Sequence, residues 1–249
     1  MKKVIVIPAR YGSTRLPGKV LLDIAGKPII QWVYERACES TLKDRILVAT
    51  DDERIQRRCA AFGALAVMTG PECRSGTDRV YEAIKTIDAD VIVNLQGDEP
   101  EIRGDMIDAL FRAVEQERLD MATLCSIIDD PRDYKSPHVV KCVADKNNFA
   151  LYFSRAPLPF LQKNIPIPLY KHIGIYGFSR SFLETFVSLP KGRLEEAESL
   201  EQLRALEAGY RIKVIVTEYE GTGIDPEADL ERARKRMKSA HPAARGGVA

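Results

Sequence analysis

The residues best suited to chemistry in this sequence sit just behind apolar runs. The first group is Pro8-Ala9-Arg10-Tyr11-Gly12-Ser13-Thr14-Arg15-Leu16-Pro17-Gly18-Lys19, directly after the β-branched run Val4 to Ile7. Its glycines let backbone N–H groups approach a ligand, and Arg10, Arg15 and Lys19 add positive charge, which together are what a polyphosphate requires. A plain exposed basic loop is the alternative. The group is not a Walker A loop. With Gly18-Lys19 as the terminal pair, the first glycine falls at Ser13, and Val20 stands where a magnesium-binding hydroxyl is needed. No G-x-G-x-x-G follows the first apolar run, which weighs against a dinucleotide-binding oxidoreductase.

Three further groups have the same placement. Gln96-Gly97-Asp98-Glu99-Pro100 follows the run Val91 to Leu95, where Asp98 suits either a hard cation or an Asx turn. Gly221-Thr222-Gly223-Ile224-Asp225-Pro226 follows a run ending near Thr217. There Asp225 is a second candidate metal carboxylate, or a helix N-cap, or both. Ser75-Gly76-Thr77-Asp78-Arg79 opens a helix and offers small donors to a base, ribose or phosphate, or simply a cap. A looser set comprises Arg155, His172, Tyr176, Glu201 and Gln202. A single histidine among strands is more often structural than catalytic, so His172 carries no role by itself.

The elements that must position these groups can be read from periodicity. Val4 to Ile7, Ile46 to Ala49, Leu65 to Met68 and Val91 to Leu95 read as strands. They alternate with helices marked by Ile29, Val33 and Ala37, by Ile55, Cys59 and Phe62, by Val80, Ile84 and Ile87, and by Met106, Leu110 and Val114. This alternation means βαβ units and a mostly parallel sheet, with ligands at the carboxyl ends of its strands. Four strand-like stretches follow between Met121 and Phe178, punctuated by Pro157, Pro159, Pro166 and Pro168. Glu196 to Ala208 reads as one helix, Lys213 to Thr217 as a strand, and Leu230, Ala233 and Met237 as the stripe of a last helix. The expected organisation is a single domain over 1–238, with a β-rich excursion over 127–178 and a tail over 239–249.

Composition bounds the partners. Among 249 residues, 37 Lys+Arg stand against 36 Asp+Glu, a net charge of +1 that excludes a generally basic nucleic-acid binder. The basic stretch Arg232 to Lys238 reads as a solvated helix face. Five scattered cysteines, with no C-x-x-C, argue against a disulfide framework or a zinc site and for a reducing compartment. No stretch approaches the ~18 apolar residues of a membrane span. A cytoplasmic protein is expected, with no membrane or nucleic-acid partner.

Taken in order, I-P-A-R-Y-x-S-T-R-L-P-x-K, S-G-T-x-R, N-x-Q-G-D-E-P, A-L-Y-F-S-R, H-x-G-I-Y-G, L-E-Q-L-R and G-x-D resemble the 3-deoxy-manno-octulosonate (KDO) cytidylyltransferases from Val4 to about Arg236. The resemblance implies a three-layer α/β/α nucleotidyltransferase fold, Rossmann-like and related to the GT-A glycosyltransferases. It also implies a homodimer, Mg²⁺ as cofactor, and the reaction of CTP with KDO to give CMP-KDO and pyrophosphate for lipopolysaccharide. Under it, Arg10, Arg15 and Lys19 hold the triphosphate, and Ala9, Ser75, Gly76 and Thr77, with Arg79 of the same motif, bind the nucleotide. Asp98 and Asp225 bind Mg²⁺, and catalysis rests on Arg10, Arg15, Lys19, Asp98 and Asp225. Gln96, Arg155, His172, Tyr176, Glu201 and Gln202 hold the sugar acid, and the excursion supplies much of the dimer surface. A related sugar acid such as 8-amino-KDO, or a non-catalytic nucleotide-binding regulator, is the alternative.

Overall fold

The computed structural model describes residues 1–12, 16–163, 165–219, 221, 223–224 and 227–240. Arg15, Asp225 and most of the expected tail, 241–249, therefore lie outside the described residues.

In chain order the elements are β1 (Lys3–Ala9), a 3-10 turn (Lys19–Leu21), β2 (Asp23–Ile24), β3 (Lys27–Pro28), α1 (Ile29–Cys38), β4 (Arg45–Thr50), α2 (Glu53–Ala61), β5 (Ala66–Met68), α3 (Gly76–Ile84) and β6 (Val91–Asn94). They continue with α4 (Gly104–Gln116), β7 (Met121–Ile127), α5 (Pro131–Lys135), β8 (Lys141–Ala144), β9 (Ala150–Ser154), β10 (Tyr170–Ser179), α6 (Arg180–Ser188), α7 (Arg193–Glu198), α8 (Leu203–Glu207), β11 (Ile212–Val216) and α9 (Glu227–Ala240). Packing divides the chain into two compact units where the sequence reads as a single domain. The first unit is Lys3–Asp88, Asn94–Asp108 and the described residues after Tyr219; the second is Met1–Lys2, Ala89–Val93 and Ala109–Tyr219.

In the first unit β1 pairs parallel with β4, and β4 with β5. Val4 to Ile7 are buried, as an apolar run covered on both faces must be. Helix α1 buries Ile29, Ile30, Trp32, Val33 and Ala37, and Trp32 Nε1 donates to Ile24 O at 2.7 Å, so the one polar atom of the stripe is satisfied. Pro28, the last residue of β3, is the N-cap of this helix. Asp52 caps α2 by accepting from Arg54 N, and Ser75 caps α3 by accepting from Asp78 N. Helix α4 starts at Gly104, where a Cβ would lie 2.4 Å from the Glu39 carbonyl carbon, so only glycine passes. Leu230, Ala233 and Met237 of α9 are buried, and Arg236 ties the helix to Glu101.

In the second unit the strand order is β11-β7-β10-β6, with β8 joining β10 to β9. Strand β11 runs parallel to β7, whereas β10 runs antiparallel to β7 and β8. The β7–β10 register pairs Ile173 with Leu124 but Tyr176 with Thr123, so Gly174 and Ile175 bulge out of the ladder. Two helical details differ from the expectation. Helix α6, which buries Phe182, Leu183 and Phe186, stands where only a strand ending was read. The expected helix over Glu196 to Ala208 is broken instead. Helix α7 ends at Glu198, Ser199 takes the left-handed conformation (φ 53°), and Leu200 N donates back to Glu195 O at 3.2 Å, a closure that stops the helix before α8 begins.

Candidate active site

The first unit gathers the basic loop and the Gln96–Pro100 turn. Strand β1 ends at the buried Ala9, and Arg10 beyond it is exposed with no partner among the described residues. The loop closes on itself where Gly18 N donates to Tyr11 O at 2.8 Å. Gly18 sits at φ +68° with the Tyr11 ring where its Cβ would be, so glycine is needed twice over. Tyr11 in turn carries the Arg54 guanidinium stacked 3.3 Å from its ring centroid, and Arg54 is gripped by Asp52.

This closure delivers Lys19 to Asp98. Its Nζ donates to Asp98 Oδ2 at 2.5 Å and to Ile224 O at 2.8 Å, while Ile224 N donates to Asp98 O at 3.0 Å. Three segments distant in sequence thus meet around one carboxylate, which remains partly exposed (25%). The turn that carries Asp98 presses against β1: a Cβ on Gly97 would lie 2.9 Å from Pro8 O. Buried Glu99 lies against Gly223, where a Cβ would come within 2.7 Å of its Oε1.

A polar ladder lies beside it. Gln96 Nε2 donates to Asn94 Oδ1 at 3.1 Å, and Asn94 Nδ2 donates to the buried Thr77 Oγ1 at 3.0 Å. Gly76 faces the Gln96 amide, which a Cβ would approach to 3.3 Å. Gln96, expected with the sugar acid, therefore keeps company with Ser75, Gly76 and Thr77. Arg79, expected with the nucleotide, is instead buried, with its guanidinium on Thr69 Oγ1 at 2.5 Å and Asp51 Oδ2 at 2.7 Å.

The second unit gathers the other candidates. His172 and Tyr176 pair with Cys125 and Thr123, two apart on β7, so the bulge still presents both rings on one face, with centroids 5.5 Å apart. Tyr176 OH donates to Gln202 Oε1 at 3.0 Å, which turns the amide so that Nε2, buried, has no partner among the described residues. Such a donor is costly unless a ligand meets it. Burial pushes the Tyr176 hydroxyl well above its ordinary value and the His172 imidazole down to about 3, so both are neutral at pH 7. Glu201 lies 3.8 Å from Arg204.

Arg155 is held from three sides. Its Nε donates to Glu198 O at 2.8 Å, its Nη1 to Pro137 O at 3.0 Å, and its N–H to Glu198 Oε2 at 3.0 Å, leaving Nη2 without a partner among the described residues. Behind it the buried Lys141 ammonium donates to the carbonyls of Ser136, Val139 and Arg155 at 2.7, 2.5 and 2.6 Å. Desolvation lowers the Lys141 pKa, but three carbonyl acceptors compensate the charge, with no carboxylate among the described residues in contact with it.

Sequence reasoning assigned nothing to Lys141, Glu198, Thr123 or Arg204. A lysine inside the apolar strand Lys141–Ala144 was one available signal, and the arginine of L-E-Q-L-R was another. That arginine forms a buried double hydrogen bond with Glu195 (2.8 and 2.6 Å), joining α7 to α8 next to Gln202. Thr123 carried no signal, since a threonine in a strand is ordinary.

A cation-bearing loop and a carboxylate turn in the first unit, and the polar side chains of His172, Tyr176 and Gln202 in the second, define a nucleotide-handling α/β protein. The cytidylyltransferase family model matches residues 4–213, and the chain belongs to that family. The finer resemblance holds as well. The 3-deoxy-manno-octulosonate cytidylyltransferase of Thermodesulfovibrio yellowstonii is 49% identical over 253 residues, covering 96% of this chain and 99% of that protein. The 8-amino-3,8-dideoxy-manno-octulosonate cytidylyltransferase of Shewanella pealeana is 49% identical over 243 residues, covering 95% and 99%. A solved structure of CMP:2-keto-3-deoxy-manno-octonic acid synthetase complexed with CTP superposes with a TM-score of 0.92 at 44% identity, over 96% of this chain and 100% of that one. The fold is accordingly the α/β nucleotidyltransferase fold with a mainly parallel central sheet.

Proposed function

We propose that this protein joins CTP to KDO, giving CMP-KDO and pyrophosphate, and so supplies activated sugar acid for lipopolysaccharide. The observation that carries the reading is the near-full-length likeness to a synthetase solved with CTP. In this reading the 2-hydroxyl of KDO attacks the α-phosphorus in line, an O–P bond forms, and the bond to pyrophosphate breaks. Such a transfer asks for positioning and charge neutralisation more than for covalent chemistry. Lys19 and Arg10, with Arg15, meet the triphosphate; Ala9, Ser75, Gly76 and Thr77 meet the base; Arg79 braces that wall through Asp51 and Thr69. Gln202 Nε2 and Arg155 Nη2 offer donors to the sugar acid, and the His172 imidazole and the Tyr176 hydroxyl, whose proton is on Gln202, meet its hydroxyls, with Glu201 alongside.

Mg²⁺ belongs to the same reading. Asp98 supplies an anionic oxygen that already holds one cation, the Lys19 ammonium. Among the described residues no group of three His, Cys, Asp or Glu side chains gathers, and Mg²⁺ suits such a place because it takes few protein ligands and keeps water and phosphate oxygens. Asp98, with Asp225, would hold it. When bound it supplies positive charge to the reacting phosphates and acidity to a coordinated hydroxyl.

A homodimer and a cytoplasmic location complete the reading. Phe160 (84% exposed), Leu161, Ile165, Ile167 and Ile127 leave an apolar surface on the proline-punctuated excursion, which supports a second copy of this chain as its cover. Five free cysteines support a reducing compartment, and no helix among the described residues is long and apolar enough to cross a membrane.

The Shewanella pealeana relative favours 8-amino-KDO as a second reading. Pyrophosphate release measured over four nucleoside triphosphates and a panel of KDO, 8-amino-KDO and a nine-carbon sugar acid, with and without Mg²⁺, separates them. Turnover is expected to be highest for CTP with KDO and to require the metal. Higher kcat/KM with 8-amino-KDO selects the second reading, and CTP binding without turnover on any sugar acid selects a regulator.

A further inference from the structure

Thr123 lies on β7 opposite Tyr176, and its hydroxyl has three neighbours. Oγ1 is 2.8 Å from Ile175 O, 3.3 Å from Ile173 O and 2.9 Å from His172 Nε2. The two carbonyls belong to the bulge in β10 and can only accept. A hydroxyl has a single proton. If Thr123 gave it to His172, its oxygen would face Ile175 O at 2.8 Å with no proton between them, a contact of two lone pairs. The proton therefore goes to the bulge carbonyls, and the remaining neighbour must donate to Oγ1. That neighbour is Nε2.

We infer that Thr123 is a positioning residue that fixes His172 as the neutral tautomer protonated on Nε2, so that Nδ1 faces the sugar acid as a hydrogen-bond acceptor. The inference rests on the proposed function for the identity of the ligand, and deepens it. Nδ1 has no partner among the described residues, and His172 is only half-buried. Phe153 packs its ring edge-on against the imidazole (centroids 4.9 Å), closing another side. Burial of the ring keeps it uncharged at pH 7, which agrees with an acceptor role. The chemistry then divides cleanly within the unit. Gln202 Nε2 and Arg155 Nη2 are donors suited to the carboxylate, whereas His172 Nδ1 is an acceptor suited to a hydroxyl of the same molecule. The same device locks the bulge that sets Tyr176 beside His172, because Thr123 gathers both bulge carbonyls.

The test begins with the full-length wild type labelled with ¹⁵N-histidine. Two of the three histidines, His138 and His241, are removed as His138→Asn and His241→Asn to assign His172. A pyrrole-type Nε2 and a pyridine-type Nδ1 are expected without ligand, with Nδ1 shifting toward a hydrogen-bonded position when KDO is added. Thr123→Val, which keeps the shape and removes the hydroxyl, should raise KM for the sugar acid ~10-fold, the size of one lost hydrogen-bond arrangement, and alter the imidazole signals. The affinity for CTP should be unchanged, and Thr123→Ser should restore both the signals and KM. A pyrrole-type Nδ1 in the wild type overturns the inference, as does a folded Thr123→Val protein with wild-type KM and signals. Should Thr123→Val fail to fold, the wild-type spectrum alone decides the tautomer. Absence of turnover with KDO in the wild type would instead overturn the proposed function, and the spectrum would still decide the tautomer.

Discussion

Replacing Asp98 by asparagine is expected to lower kcat by on the order of 10²–10³-fold, the cost of removing one charge-stabilising group from a transition state. The expectation follows from geometry. Asp98 stands at the carboxyl end of β6, on a turn that Gly97 presses against Pro8 O, and is met by Lys19 from the basic loop and by the Ile224 backbone. Asparagine keeps the size of the side chain and can still accept from Lys19, so the fold should survive. What it loses is the negative charge that offsets Lys19 and would hold Mg²⁺. The measurement is pyrophosphate release at saturating CTP, KDO and Mg²⁺, paired with a thermal melt. A near-normal rate at high Mg²⁺, with an unchanged melt, would remove Asp98 from the metal assignment.

Arg204→Met should destabilise the protein by about 3–5 kcal/mol, the usual cost of stripping one partner from a buried ion pair. Arg204 and Glu195 are both buried, joined by two hydrogen bonds, and the guanidinium also lies 4.9 Å from the Phe186 ring centroid. Burial alone would raise the Glu195 pKa, but the Arg204 hydrogen bonds and charge more than offset this and hold it below the ordinary 4.5. A depressed carboxylate contributes stability that is present above its unfolded value and lost as the pH falls through its folded one. The gap between wild type and Arg204→Met in urea denaturation should thus be widest at neutral to alkaline pH and narrow as the pH falls, first through the raised value that burial gives Glu195 once Arg204 is gone and then through the depressed value of the wild type. Adding Glu195→Gln to Arg204→Met should recover part of the loss, as a double-mutant cycle of contacting groups requires. A gap that stays constant down to pH 3 would show that the pair is not its source. Because the pair joins α7 to α8, the variant should also raise KM for the sugar acid through Gln202 while sparing CTP.

Much of the fold was legible because burial writes a period into the chain. Val4 to Ile7 could only be a strand covered on both faces, and Ile29, Val33 and Ala37 could only be one side of a helix; both are buried. The failures occurred where local geometry overrode the period. Glu196, Leu200 and Leu203 are spaced for a single helix, yet the chain turns at Ser199, just before the two buried leucines, because Leu200 N closes α7 onto Glu195 O. Helix α6 carried its own apolar pattern in Phe182, Leu183 and Phe186, but was masked by the long strand that leads directly into it.

The sequence by itself determined which residue types are available and, through seven ordered motifs, to which family they belong. Spacing along the chain put Lys19 and Asp98 just behind strands, where ligands bind, and left His172 and Gln202 to the family resemblance. Only the tertiary structure decided how they pair. Lys19 and Asp98 are 79 residues apart. The partner of Arg79 turned out to be Asp51, and Gln96 joined Thr77 through Asn94. Hydrogen-bond roles are the furthest from the sequence of all. A threonine in a strand and a histidine on the neighbouring strand say nothing of who donates, until a bulge brings two carbonyls to one hydroxyl and leaves its single proton no other place to go.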